Sequence, residues 1–196
     1  MDLRPTVKTA PQAEPFTIAE VRGWAKVDQA LDDARLVQMI RRAREAGEIH
    51  TGRSWFTQTL VLKLDAWPAA GLELELARPP VQSISSVKYY DVDGVQQTLS
   101  AALWFARTGE DDGAVVLKPG NVWPDLDPGR PNAIEVEYVA GFGDAVDAVP
   151  GPYIEGTSLL IVHLYENRSQ EQSGTNMVPL VYGLDDLWAF RRLVAV

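Results

Sequence analysis

The chain has 196 residues, with 27 acidic against 18 basic side chains, two histidines and no cysteine. The length suits one domain or a compact body with an appended arm, able to bury about 70% of its unfolded surface without staples. Missing cysteine excludes disulfide scaffolds, thiol nucleophiles, zinc fingers and iron–sulfur sites, two histidines exclude a histidine-rich metal cage, and a net charge of −9 disfavours general nucleic-acid binding.

Residues 1–15 hold three prolines and no apolar period, and read as an extended arm. They lack the apolar stretch of a secretory signal, and no run of about 18 apolar residues predicts a membrane span. A first helix starts at Thr17, which forms a capping box with Glu20. Phe16 is placed to staple onto Val21, and Ile18, Val21 and Trp24 supply an apolar face that ends near Val27. A second helix starts at Asp32 or Asp33. Leu36, Ile40, Ala43, Gly47 and His50 recur on one face, and the small Ala43, Ala46 and Gly47 allow a close helix neighbour. Gly52 is the expected C-cap, with His50 and Arg53 at the negative helix end. Arg35, Arg41, Arg42, Arg44, Glu45 and Glu48 are assigned to the opposite, charged face.

From Trp55 the period becomes two. Leu60, Leu62 and Leu64 form one half-buried strand, and Leu72, Leu74 and Leu76 another. Val81–Tyr90 is a third strand, followed by an Asp93–Gly94 turn and a return strand over Val95–Leu99. Leu103–Arg107 and Ala114–Lys118 flank a turn at Thr108–Gly113. Ala133–Val139 closes the set, with Ile134, Val136 and Tyr138 on one face. Pro150 and Pro152 mark a new start, and Tyr153–Arg168 reads as the most apolar helix. Residues 169–176 form a polar loop. Asp185 or Asp186 then caps a short helix over Leu187–Leu193.

The expected fold class is therefore α+β. A small α-helical bundle, with two N-terminal and one or two C-terminal helices, is interrupted by an inserted antiparallel β module. The expected divisions are an arm over 1–15, helices over 16–54, the β module over 55–148, a helix over 149–168, and a loop with a C-terminal docking helix over 169–196. Along the chain, residues 1–55 net +1 and residues 56–196 net −10.

No catalytic, cofactor-binding or metal site emerges. Glu73 and Glu75 share a strand face and read as solvated acids. Asp111–Asp112 sit in a turn, and Asp125 and Asp127 lie in a proline-rich loop without the spacing of a calcium loop. His163 lies among leucines and reads as a core or interface histidine. No G-x-S-x-G elbow and no phosphate-binding G-x-x-x-x-G-K-[ST] loop occurs. Trp24, Trp55 and Trp188 fit packing positions. Trp67, Trp104 and Trp123 fall in or near the β module, and leave open an alternative reading as a stacking platform for a glycan.

Several segments, in order, resemble the head–tail connector (adaptor) proteins of long-tailed phages, in the longer form with a strand insertion. They are FTIAEVRGWAKV at 16–27, AREAGEIHTGR at 43–53, RPPVQSISSVKYYDVDG at 78–94, WP at 123–124, VEYVAGFG at 136–143, VPGPYI at 149–154 and LLIVHLYENR at 159–168. The family includes prophage and gene-transfer-agent relatives. The resemblance implies a structural, non-enzymatic virion protein at the head–tail junction, assembled in bacterial cytoplasm. It implies a ring, commonly of twelve copies, beneath the portal protein. Its further partners would be a tail-side stopper or terminator protein, with double-stranded DNA passing through unbound. Within that reading, Arg41, Arg42, Arg44, Glu45 and Glu48 are expected at the ring interface. Trp188, Phe190, Arg191, Arg192 and Leu193 are expected to dock the portal, as an aromatic–arginine cluster.

Overall fold

The computed structural model describes residues 4–25, 33–69, 73–166, 184–189 and 193. The chain divides into two compact units, each built from separated stretches. A β unit comprises residues 1–12 and 53–144, and a helical unit comprises 13–52 and 145–196. The α+β class holds: a helical bundle is interrupted by an antiparallel β module.

The β unit contains eight strands: β1 (Thr6–Thr9), β2 (Gln58–Leu64), β3 (Leu74–Glu75), β4 (Val81–Tyr90), β5 (Gln96–Thr98), β6 (Trp104–Thr108), β7 (Gly113–Leu117) and β8 (Ile134–Ala140). They form an antiparallel five-stranded sheet, ordered β1-β2-β8-β4-β5, and a three-stranded sheet, ordered β3-β7-β6. Alternating apolar side chains set the pairing at the centre. Leu60, Leu62 and Leu64 of β2 face inward, and so do Ile134, Val136 and Tyr138 of β8, in a register that pairs Leu60 with Tyr138 and Leu62 with Val136. Leu74, Val87, Trp104 and Val115 from both sheets join them in one core.

The residues expected as an arm thus include an edge strand. β1 adds to β2 with Thr6 opposite Val61, and Lys8 pairs with Glu137 across the sheet at 2.6 Å. The predicted strand over 72–76 shortens to two residues, and Leu72 lies outside the described residues. The β4–β5 turn forms at the expected place. Gly94 adopts φ +73°, and the Asp91 carboxylate accepts from the Asp93 and Val95 amides at 3.1 and 2.9 Å. Bonds from Gln97 and from Val95 hold the Asp91 carboxyl below its ordinary pKa. Gly141, at φ +133°, cannot be replaced freely. A Cβ there would lie 2.4 Å from the Phe56 backbone.

The helical unit contains α1 (Ile18–Ala25), α2 (Asp33–Thr51), α3 (Gly151–Glu166) and α4 (Leu184–Ala189). The capping box forms: the Thr17 amide donates to Glu20 at 2.7 Å, and the Glu20 amide donates to the Thr17 hydroxyl at 3.3 Å. The ring that Phe16 meets is Trp24, edge-on at 4.5 Å. Gly52 ends α2 in the left-handed region, at φ +69°. The last helix begins at Leu184, so Asp185 and Asp186 lie within its first turn rather than before it. Among the described residues no helix is long and apolar enough to cross a membrane.

Folding redistributes the charge. The imbalance read along the chain, +1 then −10, vanishes once residues 13–52 join 145–196. The β unit carries nine basic and fourteen acidic residues, the helical unit nine and thirteen.

Candidate functional site

The charged residues of α2 were expected on one outward face. The structure splits them. Arg41, Arg42 and Glu45 stay at the surface, and Arg41 pairs with Glu45 at 2.9 Å. Arg44 and Glu48 are buried, 3% and 2% exposed. Arg44 donates to both oxygens of Glu14, at 2.8 and 3.2 Å, and to Glu48 at 2.9 Å. Burial works against its charge, but Glu14 and Glu48 more than offset this and hold its pKa above the ordinary value. Arg44 and Glu48 therefore belong to the protomer's interior and are spent there. The signal was present in the spacing: Leu36, Ile40, Arg44 and Glu48 form one i, i+4 row beside Met39, Ala43, Gly47 and Thr51, and all eight are buried.

Trp188 is likewise an inward residue. It is 3% exposed, and its indole N–H donates to the Tyr153 carbonyl at 3.4 Å. It fits because position 156 is glycine: a Cβ there would meet Trp188 Nε1 at 2.5 Å. The His50 ring lies tilted against the same indole at 5.6 Å. Trp188 anchors α4 to α3 and is not a free docking group. Leu193 donates its amide to the Thr51 carbonyl at 3.1 Å. Phe190, Arg191 and Arg192, the rest of the expected docking cluster, lie outside the described residues, as does the loop at 169–176.

The helical unit also carries an open apolar surface. Two hollows of about 470 and 450 Å³ meet at Trp24 and Ser158. Phe16, Val146 and Ile154 line the first, and Leu159, Val162 and His163 the second. Asp147, Glu155 and Glu166 lie on the rim.

In the β unit, the candidate acid pairs are distributed among cations. Glu73 pairs with Arg107, which also reaches Asp112 at 3.2 Å. Asp111 accepts from Arg53 at 2.6 Å, and the same guanidinium donates to the Glu110 carbonyl at 2.6 Å. Arg53 is 1% exposed, and these bonds tie the turn into the β unit. Asp127 faces Arg130 at 3.4 Å, and Arg130 lies 3.5 Å over the Tyr90 ring. Among the described residues no group of three or more His, Asp or Glu is placed to hold a metal ion. The three open tryptophans do not form an exposed row. Trp104 is in the core, and Trp67 stacks on Trp123 at 4.5 Å and donates to the Pro124 carbonyl at 2.8 Å.

No protein-family model matches the chain. Its architecture does match solved structures over nearly its whole length. It is similar to a chain in the neck of the empty gene transfer agent particle, computed with C6 symmetry. The TM-score there is 0.78 at 25% identity, covering 99% of this chain and 97% of the other. The neck of the native particle, computed with C12 symmetry, gives 0.75 at 24% identity, covering 100% and 97%. The virion of the native particle gives 0.76 at 24%, covering 99% and 97%. The resemblance drawn from the sequence is thus matched by the fold of the whole chain.

Proposed function

We propose that the chain is a structural connector subunit at the head–tail junction of a phage or phage-like particle. It assembles as a homo-oligomeric ring of twelve copies beneath the portal protein. The ring extends the DNA channel and presents a platform to a tail-side stopper or terminator. The observation that carries this reading is the full-length likeness to a neck chain, which spans both units in the same chain order at a TM-score of 0.78. The C12 symmetry of one such neck supports twelve copies, and C6 is a subgroup of it.

The physical chemistry agrees with a conduit. Both units are net acidic, so a ring of copies would repel passing phosphates rather than hold them. Arg41, Arg42 and Glu45 remain on the exposed face of α2 and are proposed at the ring interface. Portal docking is proposed for the segment holding Phe190, Arg191 and Arg192, with Trp188 as its anchor in the helical unit.

Native mass spectrometry of the full chain, alone and mixed with portal rings from the same source, tests the reading. Rings of about twelve copies, free or portal-bound, are expected. A chain that stays monomeric and ignores the portal overturns it. Arg191→Glu with Arg192→Glu is expected to abolish portal capture while leaving ring formation intact.

A further inference from the structure

Among the described residues, the helical unit leaves one apolar face uncovered. α3 buries Tyr153, Gly156, Thr157, Leu160 and Ile161, yet Ile154, Leu159 and Val162 line the open hollows on its other side. A helix apolar nearly all round is normally covered all round. Trp24 is 43% exposed beside it. The lining includes the exposed acids Asp147, Glu155 and Glu166, and among the described residues it contains no lysine or arginine.

The same unit carries a surface of opposite character. α2 exposes Arg35, Arg41 and Arg42, with Glu45 paired to Arg41, together with Val37 at 47% and Ile49 at 80%, so the face is net basic. α2 and α3 pack on one another, so the faces that each leaves exposed lie off that contact. The lining of the hollows includes no residue of α2, so one copy can offer both surfaces at once.

We infer that the acid-rimmed apolar groove between α1 and α3 of one subunit receives the exposed arginine face of α2 from a second copy, head to tail around the ring. This deepens the connector reading and rests on it. A closed ring needs a heterologous contact, in which two different faces of each subunit meet. Opposite charge selects that contact, while groove against groove would set carboxylates against carboxylates. Val37 and Ile49 bring apolar area to Leu159 and Ile154, and the Trp24 indole is a flat partner for a guanidinium.

Charge reversal tests it in the full chain. Arg42→Glu and Glu155→Arg are each expected to cut the ring population about tenfold or more, and the double variant is expected to restore it. A benzophenone amino acid at position 159 gives a second readout. In rings mixed from isotopically light and heavy copies, it should cross-link to residues 35–49 of the neighbouring copy. Rings that survive both single reversals, or cross-links that map elsewhere within intact rings, overturn this contact and leave the connector reading standing. Absence of any ring, alone or on the portal, overturns the connector reading and this contact with it.

Discussion

In the β unit, Leu60, Leu62, Val87, Trp104, Ile134 and Val136 meet across two sheets, and acids such as Glu73, Asp112 and Glu137 pair with cations. In the helical unit, Arg44 and Glu48 lie buried while Trp24, Val37, Ile49 and Leu159 face solvent. The first arrangement is that of a core finished within one subunit. The second leaves apolar area open around a buried Arg44–Glu48 pair. Isolated exposed apolar residues, such as Val92 and Val95 near the β4–β5 turn, need no account. Trp24 and Leu159 differ because they border a continuous hollow. The contrast is between a β unit whose two sheets close on one apolar core and a helical unit whose open apolar hollow the proposed ring contact would cover.

The largest expected effect breaks the ionic interior of the helical unit. Arg44→Ala removes the guanidinium that pairs with Glu14 and the buried Glu48, and is expected to cost about 3–5 kcal/mol. Arg44→Met combined with Glu48→Leu is expected to recover most of that loss, because a matched apolar pair removes both charges. Urea unfolding midpoints of the two variants check this. If the double variant is as unstable as Arg44→Ala, the charges are not the source of the loss. The matching probe of the β unit is Leu62→Ala, which opens a cavity in an apolar core. It is expected to cost about 2–5 kcal/mol, with ring formation unchanged once the protein is folded.

A smaller effect is expected where the β core meets a polar group. The Tyr138 hydroxyl donates to the Ala77 carbonyl at 2.7 Å, and burial raises its pKa well above the ordinary tyrosine value. Tyr138→Phe removes the donor and leaves the carbonyl unpaired, at a cost of about 1 kcal/mol. Denaturant unfolding resolves a change of this size. A cost as large as that of Leu62→Ala would mean that the hydroxyl organises more than one bond.

Local chemistry was legible in the sequence wherever a few neighbouring residues decide the structure. The Thr17–Glu20 box, the Asp93–Gly94 turn and the Gly52 cap each depend on contacts within about five residues. The inward faces of β2 and β8 were equally legible, because a strand with one wet face alternates, as β8 does throughout and β2 does except at the buried Val61. β1 was not, since all four of its residues are exposed and an edge strand wet on both faces has no period. Trp188 was read both as a packing residue and as part of the docking cluster, and what packs it, the gap at Gly156 and the Tyr153 carbonyl, lies some 35 positions away along the chain. Arg44 and Glu48 were assigned outward by residue type. Their i, i+4 spacing from Ile40 placed them inward, and Glu14 supplies the charge that makes burial tolerable. The charge asymmetry misled for a related reason: chain order is not unit order, and the two helical stretches are far apart in sequence.

The smallest effect concerns the start of α1, where the helical unit meets water. Hydrogen bonds from the Thr17 amide and hydroxyl hold the Glu20 carboxyl below its ordinary 4.5. A carboxylate with a depressed folded-state pKa stabilises the fold above the unfolded pKa. That contribution is lost as pH falls through the folded value. Glu20→Gln keeps the side-chain shape and removes the charge. The variant should therefore melt below the parent at neutral pH, and the gap should close once the pH is well under 4.5. Thermal midpoints of both proteins across that window check the sign, since every other carboxylate is common to the pair and cancels. A gap that is constant with pH would show that the box acts through packing alone, and a gap that widens in acid would reverse the assignment of the charge. Arg42→Ala in the same measurements should leave the midpoint nearly unmoved while weakening the ring. That contrast would separate the residues that finish the helical unit from within and those that await a neighbour.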